Sequence, residues 1–363
     1  MSAPTGRLLA VASALLALAA AAPAAGQGLS IATPDSSIRM TFGGRVQTIF
    51  NTTSVDDEPV ARTELRRVRL EANLYFGRFV QGKIQPEYAG SRVALRDAYV
   101  RFNFDPGLQL WAGQAHRPFG IITPISSARM LPIERGVHIR GVANADSYDQ
   151  YNLISFLNYS ERDVGLQLRG EPRNAPLGLS YAVGFFNGPA ATTAPHEETW
   201  QGVARVAVHP VPNVRVGAGW SRLDHVRTAD DETLRTREGQ AWEADVELGS
   251  DRGGLHVIGE VSTGDFDPFA GAEFLGAQGW VGYRTARVSS AISAVEPLLR
   301  VSYGDPDVDD EAEIDGTGGT LITPGVNLWL GGLNRIALNW DVWNPQADGE
   351  TVHSAKVLFQ LAF

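Results

Sequence analysis

The chain has 363 residues, a formal net charge of −10 and no Cys, with 44% hydrophobic and 20% charged residues. Without Cys there is no disulfide scaffold, thiolate metal site or Cys nucleophile, and the acidic balance argues against a nucleic-acid partner, which needs a basic surface. A single long apolar run excludes a bundle of membrane helices, each of which takes about 20 apolar residues.

That run opens the chain. Residues 1–26 read as a secretory signal peptide: Arg7 gives the positive start, 8–20 the apolar stretch, and Ala22-Pro23-Ala24-Ala25-Gly26 the small-residue cleavage zone. The remainder, 27–363, is expected to be one exported domain with no internal linker.

Beyond Ser37 the sequence alternates with period two, as strands with one apolar and one polar face do. At 38–50, Met40, Phe42, Val46, Thr48 and Phe50 oppose Arg39, Thr41, Arg45 and Gln47. At 64–76, Val68, Leu70, Ala72, Leu74 and Phe76 oppose Arg67, Arg69, Glu71, Asn73 and Tyr75. The pattern recurs at 97–104, 241–248 and 335–342. In all, about sixteen segments read as strands: 38–50, 64–76, 79–88, 93–104, 108–116, 151–170, 177–186, 200–209, 213–223, 240–248, 254–263, 275–285, 290–303, 318–330, 333–344 and 354–363.

The connections alternate as well. Short links such as 77–78, 105–107, 210–212, 250–253 and 331–332 take turns with mostly long ones at 51–63, 117–150, 187–199, 224–239, 264–274, 304–317 and 345–353, the short 89–92 link being the exception. Short turns on one side and long loops on the other describe a transmembrane barrel. A soluble sandwich also alternates, but its loops have no reason to keep such parity. The chain ends with Val357, Phe359, Leu361 and Phe363 on one face. This ending resembles the signal by which outer-membrane barrels are recognised for assembly, and closure leaves no sheet edge exposed to lipid. The expected fold is all-β: a transmembrane antiparallel β-barrel of about 16 strands.

With the polar faces turned inward, Arg45, Arg67, Arg69, Lys83 and Arg101 of the first four strands form a positive wall around Asp97. Glu243, Asp245, Glu247 and Glu260 face it from the tenth and eleventh strands. Connection 117–150 carries Arg117, Arg129, Arg135 and Arg140, and a long loop without structure of its own is usually functional. The acidic stretch 304–316 lacks the Gly and Glu positions of a calcium loop and reads as a solvated loop. The seven His are scattered, with no HExxH, GxSxG or Walker spacing, so neither an enzyme nor a bound cofactor or metal is expected. The chain reads as a porin for small hydrophilic solutes in the bacterial outer membrane, in contact with lipid and lipopolysaccharide, with an anion preference. The alternative is a non-conducting structural or adhesion barrel plugged by its third loop. Monomer and homotrimer both stay open.

Phe42-Gly43-Gly44-Arg45-Val46-Gln47, Arg66-Arg67-Val68-Arg69-Leu70, Lys83-Ile84-Gln85 and Asp97-Ala98-Tyr99-Val100 resemble the opening strands of the phosphate-selective porin O and P family. So do Gly113-Gln114, Arg117-Pro118-Phe119-Gly120, Ser126-Ser127 and Phe185-Phe186-Asn187-Gly188. The resemblance spans about residues 40–190 and rests on the order and spacing of short tags. It implies that loop 117–150 folds inward and narrows the pore. It further implies that Arg66 and Arg67 are paired wall arginines, Asp97 a wall carboxylate, and Ser126, Ser127, Arg129 and Arg135 constriction residues. The chain departs from the family in having only Lys83 and Lys356 as lysines. Loop lysines are therefore missing or replaced by Arg, which implies a general or weakly anion-selective pore rather than a strict phosphate channel.

Overall fold

The computed structural model describes residues 29–55, 58–90, 93–144, 146–188, 199–228, 234–309, 316–347 and 349–363. The expected signal peptide lies outside them, as do residues 310–315 of the acidic connection.

A short β1 (Ser30–Ala32) pairs with the start of β2 (Ile38–Val55), which is followed by β3 (Glu58–Phe76), β4 (Val80–Glu87), β5 (Ala94–Asp105) and β6 (Leu108–His116). Next come the two-residue β7 (Ser147–Tyr148), helix α1 (Gln150–Phe156), β8 (Arg162–Gly170) and β9 (Ser180–Phe186). The rest is a meander: β10 (Gln201–Val211), β11 (Val214–Thr228), β12 (Leu234–Gly249), β13 (Gly254–Asp267) and β14 (Ala272–Arg284). It ends with β15 (Ala294–Asp305), β16 (Thr317–Gly331), β17 (Asn334–Pro345) and β18 (Val352–Ala362). Each long strand pairs antiparallel with the next, β6 skipping β7 to pair with β8, and β18 closes on β2 from His353↔Ser54 to Ala362↔Arg45. The result is a closed barrel of 16 strands.

Burial is inverted relative to a water-soluble protein. Gln47, Arg67, Arg69, Glu243, Arg300, Arg335 and Lys356 are buried, whereas Phe42, Leu70, Val100, Leu166, Trp242, Val301 and Trp340 are exposed. An apolar outer belt around a polar interior is what strands require in lipid.

The expected strand 151–170 is instead a helix followed by a strand. Asp149 caps α1 by accepting from the Asn152 amide at 3.1 Å, and Leu153, Ile154 and Leu157 are buried on its inner side. Several expected long loops are strand extensions, for β2 runs to Val55, β11 to Thr228 and β13 to Asp267. Beyond the lipid belt the outer face of a strand also meets water, so Arg222, Arg235 and Glu238 end the alternation while the backbone ladder continues.

The apolar core lies inside the barrel, on one side of it. Phe119, Leu153, Ile154 and Tyr159 pack with Phe186, Leu223, Phe266 and Phe274. Ile121, Ile122, Met130 and Leu131 pack on Ile258, Trp280 and Leu298. Ile133 joins Ile49, Ala337 and Leu358, and Val137 and Ile139 join Leu321 and Trp343. The segment that follows β6 therefore rests on β9–β18 and β2. Among the described residues, none from β3–β6 or β8 belongs to these clusters.

Candidate functional site

Residues 117–146 have almost no ladder of their own, so wall side chains must satisfy their buried backbone groups. Gln47 donates to Ser127 O (3.0 Å), Gln360 to Ala128 O (3.0 Å) and Asn327 to Leu131 O (3.0 Å). Arg300 donates to Glu134 O (2.8 Å) and Gln278 to Arg135 O (3.0 Å), while Asn339 accepts from the Ile133 amide (2.7 Å). Glu260 accepts from the Ile121 and Ile122 amides (2.6 and 2.9 Å) and from Gln150. Each such bond stabilises by about 0.5–1.5 kcal/mol, and together they pin the segment strand by strand.

Two β-bulges shape the opposite wall. Gln47 pairs with Arg67 while Thr48 pairs with Leu65, which leaves Arg66 as the extra residue of β3. Gln85 pairs with Asp97 and Pro86 with Leu95, leaving Arg96 extra in β5. A bulge lets two consecutive side chains turn to the same face. Arg66 and Arg67 accordingly both reach Glu134, at 2.6 Å each. Arg96 reaches Glu87 while its neighbour Asp97 accepts from Arg162 at 2.6 Å.

Most of the wall carboxylates are held by cations. Glu71 and Asp97 each lie 3.2 Å from Lys83, Glu87 accepts from Arg69, and Asp163 lies 3.0 Å from Arg117. Glu243 and Asp245, expected to oppose the positive wall, are both paired with Arg205. Glu260 is occupied by the loop amides. Arg45, Arg101, Arg135 and Arg169, which face the free side, have no carboxylate within 4.0 Å among the described residues, and neither has Arg335 on the docking side, which donates to Met130 O. Arg45 donates to Ser126 Oγ at 3.0 Å, Arg135 to the Ile122 and Ile125 carbonyls, and Arg169 to Gln167 and to His116 O.

Arg45, Arg66, Arg67, Arg69, Lys83, Asp97, Ser126 and Arg135 thus fall into one connected region between the segment and β2–β5. Ser127 contributes its carbonyl. Arg117 is a fastener, buried at the segment's base and donating to Asn158 O (2.6 Å) as well as Asp163. Arg129 lies elsewhere: its half-exposed guanidinium pairs at 3.1 Å with Asp251, in the short turn between β12 and β13. Arg101 also sits toward the short-turn end, over the Trp111 ring.

Two cavities open on the side that the apolar clusters leave free. One, of about 510 Å³, is bordered by Arg96, Gln114, Tyr151, Glu161 and Arg162 at the long-loop end. The other, of about 330 Å³, lies at the short-turn end between the segment and β5, β6 and β8–β11. The Lys83–Asp97–Arg162 group lies on the wall between them.

A family model described as phosphate-selective porin O and P matches residues 40–240, more than half of the chain. The chain belongs to that family. Among solved structures the fold of this porin is similar to the outer membrane channel DcaP of Acinetobacter baumannii, at TM-score 0.60 and 13% identity over 92% of this chain and 99% of that one. It is similar also to the anion-selective porin from Comamonas acidovorans (TM-score 0.60, 14% identity, 90% and 100% covered). In-vitro folded OmpT of Vibrio cholerae, in its trimer form, gives TM-score 0.57 at 12% identity, with 90% and 100% covered. At such identities the likeness is one of fold. None of the curated proteins matches the porin. Family and fold together make it a channel-forming barrel of the outer membrane.

Sequence reasoning missed Glu134, Arg96 and Arg162, and left Arg169 out of the site. The signal for the bulges was present: Arg66-Arg67 and Arg96-Asp97 are adjacent charged pairs inside otherwise strict alternation. Glu134, the lone carboxylate among the porin's loop arginines, had no sequence neighbour to reveal its partners.

Proposed function

We propose that this porin conducts small hydrophilic solutes through the space between segment 117–146 and the wall of β3–β6 and β8, with a preference for anions. One observation carries the reading: the buried carboxylates Glu71, Glu87, Asp97 and Asp163 bordering this space are matched by cations, while Arg45, Arg101, Arg135 and Arg169 have no carboxylate partner. In a narrow passage these charges act within the screening length of about 8 Å at physiological salt. The filter comprises Arg45, Arg66, Arg67, Arg69, Lys83, Asp97, Arg135, Ser126 and the Ser127 carbonyl, with Arg101 and Arg169 beyond it. The guanidinium fork suits phosphate and carboxylate alike, so phosphate is one of several accepted anions. Residues 1–26 are removed on export, the barrel of 27–363 sits against lipid and lipopolysaccharide, and the assembly is a homotrimer. The chemistry is passive diffusion rather than catalysis.

The test is the reversal potential of the purified protein in planar bilayers across a potassium chloride gradient, repeated with phosphate. Chloride-selective current is expected, reduced but not abolished by phosphate. Cation-selective current overturns the anion preference. Absence of any current favours a plugged, non-conducting barrel, the second reading that the densely bonded segment supports.

A further inference from the structure

We propose that the cavity at the short-turn end is a binding site for an aromatic carboxylate. Its lining includes Arg101, Trp111, Arg169, Tyr181, Arg215 and Ile121. Such a lining joins guanidiniums that can fork onto a carboxylate with flat and apolar surfaces that can cover a ring.

The guanidiniums are available. Arg101 makes no side-chain hydrogen bond to the described protein, and its Nε is buried without a partner. Arg215 likewise has a buried, unpartnered Nε, and its nearest carboxylate oxygen, on Glu247, is 3.9 Å away. Arg169 uses Nε and Nη2 on Gln167 and His116 O, which leaves Nη1. Buried donors without acceptors are costly and call for a ligand or water. The single carboxylate at the cavity, Glu171, is exposed on the turn after β8.

The aromatic surface is fixed beside them. Trp111 stacks on Tyr99 with ring centroids 4.5 Å apart. The guanidinium carbons of Arg101 and Arg169 lie 5.2 and 4.6 Å from its ring centre. Cross-strand pairing explains the grouping: Trp111 faces Arg101 on β5, and its strand neighbour Gln109 faces Arg169 on β8. Inorganic phosphate would use the arginines and leave Trp111, Tyr181 and Ile121 without a role. A planar aromatic acid uses both, and the cavity of about 330 Å³ falls in the range of small-ligand sites.

The inference rests on the porin reading only for the route by which the ligand arrives. The test therefore pairs bilayer currents with calorimetry on the detergent-solubilised protein, using benzoate, cyclohexanecarboxylate, acetate and phosphate. Benzoate is expected to bind, and to reduce chloride current, at concentrations at least tenfold below those of acetate or phosphate. Trp111→Leu should erase the advantage of benzoate over cyclohexanecarboxylate. Arg101→Gln combined with Arg169→Gln should weaken both acids at least tenfold. Equal affinity for benzoate and acetate, or unchanged benzoate affinity in both variants, overturns the proposal. Where a variant lacks the heat-modifiable band of a folded barrel, the ranking of the four anions on the parent protein decides. If no current flows at all, the porin reading fails, and calorimetry still judges the site.

Discussion

Arg66 and Glu134 meet at 2.6 Å because β3 carries a bulge at Arg66. Without the extra residue, Arg66 would point to lipid and Arg67 alone would face the loop. The bulge brings two guanidiniums onto one loop carboxylate, whose own backbone carbonyl is held from the far wall by Arg300. Glu134 thus ties the inner segment to β3 and β15 at once.

Replacing Glu134 by Gln should loosen the segment and release positive charge into the passage. Loss of one partner from a buried charge pair costs about 3–5 kcal/mol, so the heat-modification temperature should fall while anion selectivity rises. Burial alone would raise the pKa of Glu134, but Arg66 and Arg67 pull it well below the ordinary value of 4.5. A carboxyl depressed in this way stabilises the fold fully above its unfolded pKa and loses that contribution only as pH falls through its lower folded value. The stability difference between the parent protein and Glu134→Gln should therefore stay flat on acidification to about pH 5 and shrink only below that. A step in that difference between pH 5 and pH 7 would contradict the assignment.

Arg129 and Arg135, grouped together by sequence, should behave differently. Arg135 lies near Arg45 and Arg67, with its guanidinium 5.8 Å from the Tyr151 ring centre, while Arg129 pairs with Asp251 in the short turn between β12 and β13. Arg135→Glu should shift selectivity toward cations and weaken block of chloride current by phosphate. Arg129→Ala should move the reversal potential little, because an exposed rim pair contributes weakly and is well screened. Equal shifts for both variants would place Arg129 in the filter after all.

What could be read from the sequence follows from where a single rule applies. Within the lipid belt each strand has one wet and one lipid face, so Leu70 against Arg69 or Trp340 against Asp341 gives the orientation directly. The rule weakens where the outer face leaves the lipid and turns polar, which is why the extensions of β11 and β12 read as loops. It also breaks where an inward position docks the inner segment. Leu298 beside Leu299, and Leu358 beside Val357, are apolar on both faces for that reason. Both doublets lie where the wall packs against the inner segment. The roles of Arg66 and Arg96 depend on bulges, and that of Glu134 on partners far away in sequence, so spacing alone could not assign them.

Gly120 is the hinge of the segment's first anchor. Its φ is +74°, and a Cβ there would lie 2.7–2.9 Å from the Glu260 carboxylate that receives the Ile121 and Ile122 amides. Gly120→Ala should cost about 1–3 kcal/mol through left-handed backbone strain and the displaced carboxylate. The expected readout is noisier single-channel current with the barrel still heat-modifiable. Quiet current at parental conductance would show that this anchor does not position the segment.

Phe363 should matter to closure more than its place at the chain end suggests. Its amide donates to Gly44 O at 3.1 Å and its carbonyl accepts from the Gly44 amide at 2.9 Å, which extends the β18–β2 seam past Ala362. Its ring lies against Gly44, where a Cβ would come within 2.8 Å of the ring carbon Cζ. The ring itself is half exposed on the lipid side. Removing Phe363 therefore deletes the last hydrogen-bonded pair of the seam and an aromatic residue of the outer belt. The seam still keeps the pairs from His353 to Ala362, so the barrel should remain able to form once started. The expected loss is in assembly: export proceeds, while the level of heat-modifiable protein in the outer membrane falls several-fold. Phe363→Tyr, which keeps both the backbone pair and an aromatic ring, should restore it, whereas Phe363→Ser should restore the backbone pair alone. Full recovery with Ser would assign the defect to the hydrogen bonds, and recovery with Tyr only would assign it to the ring.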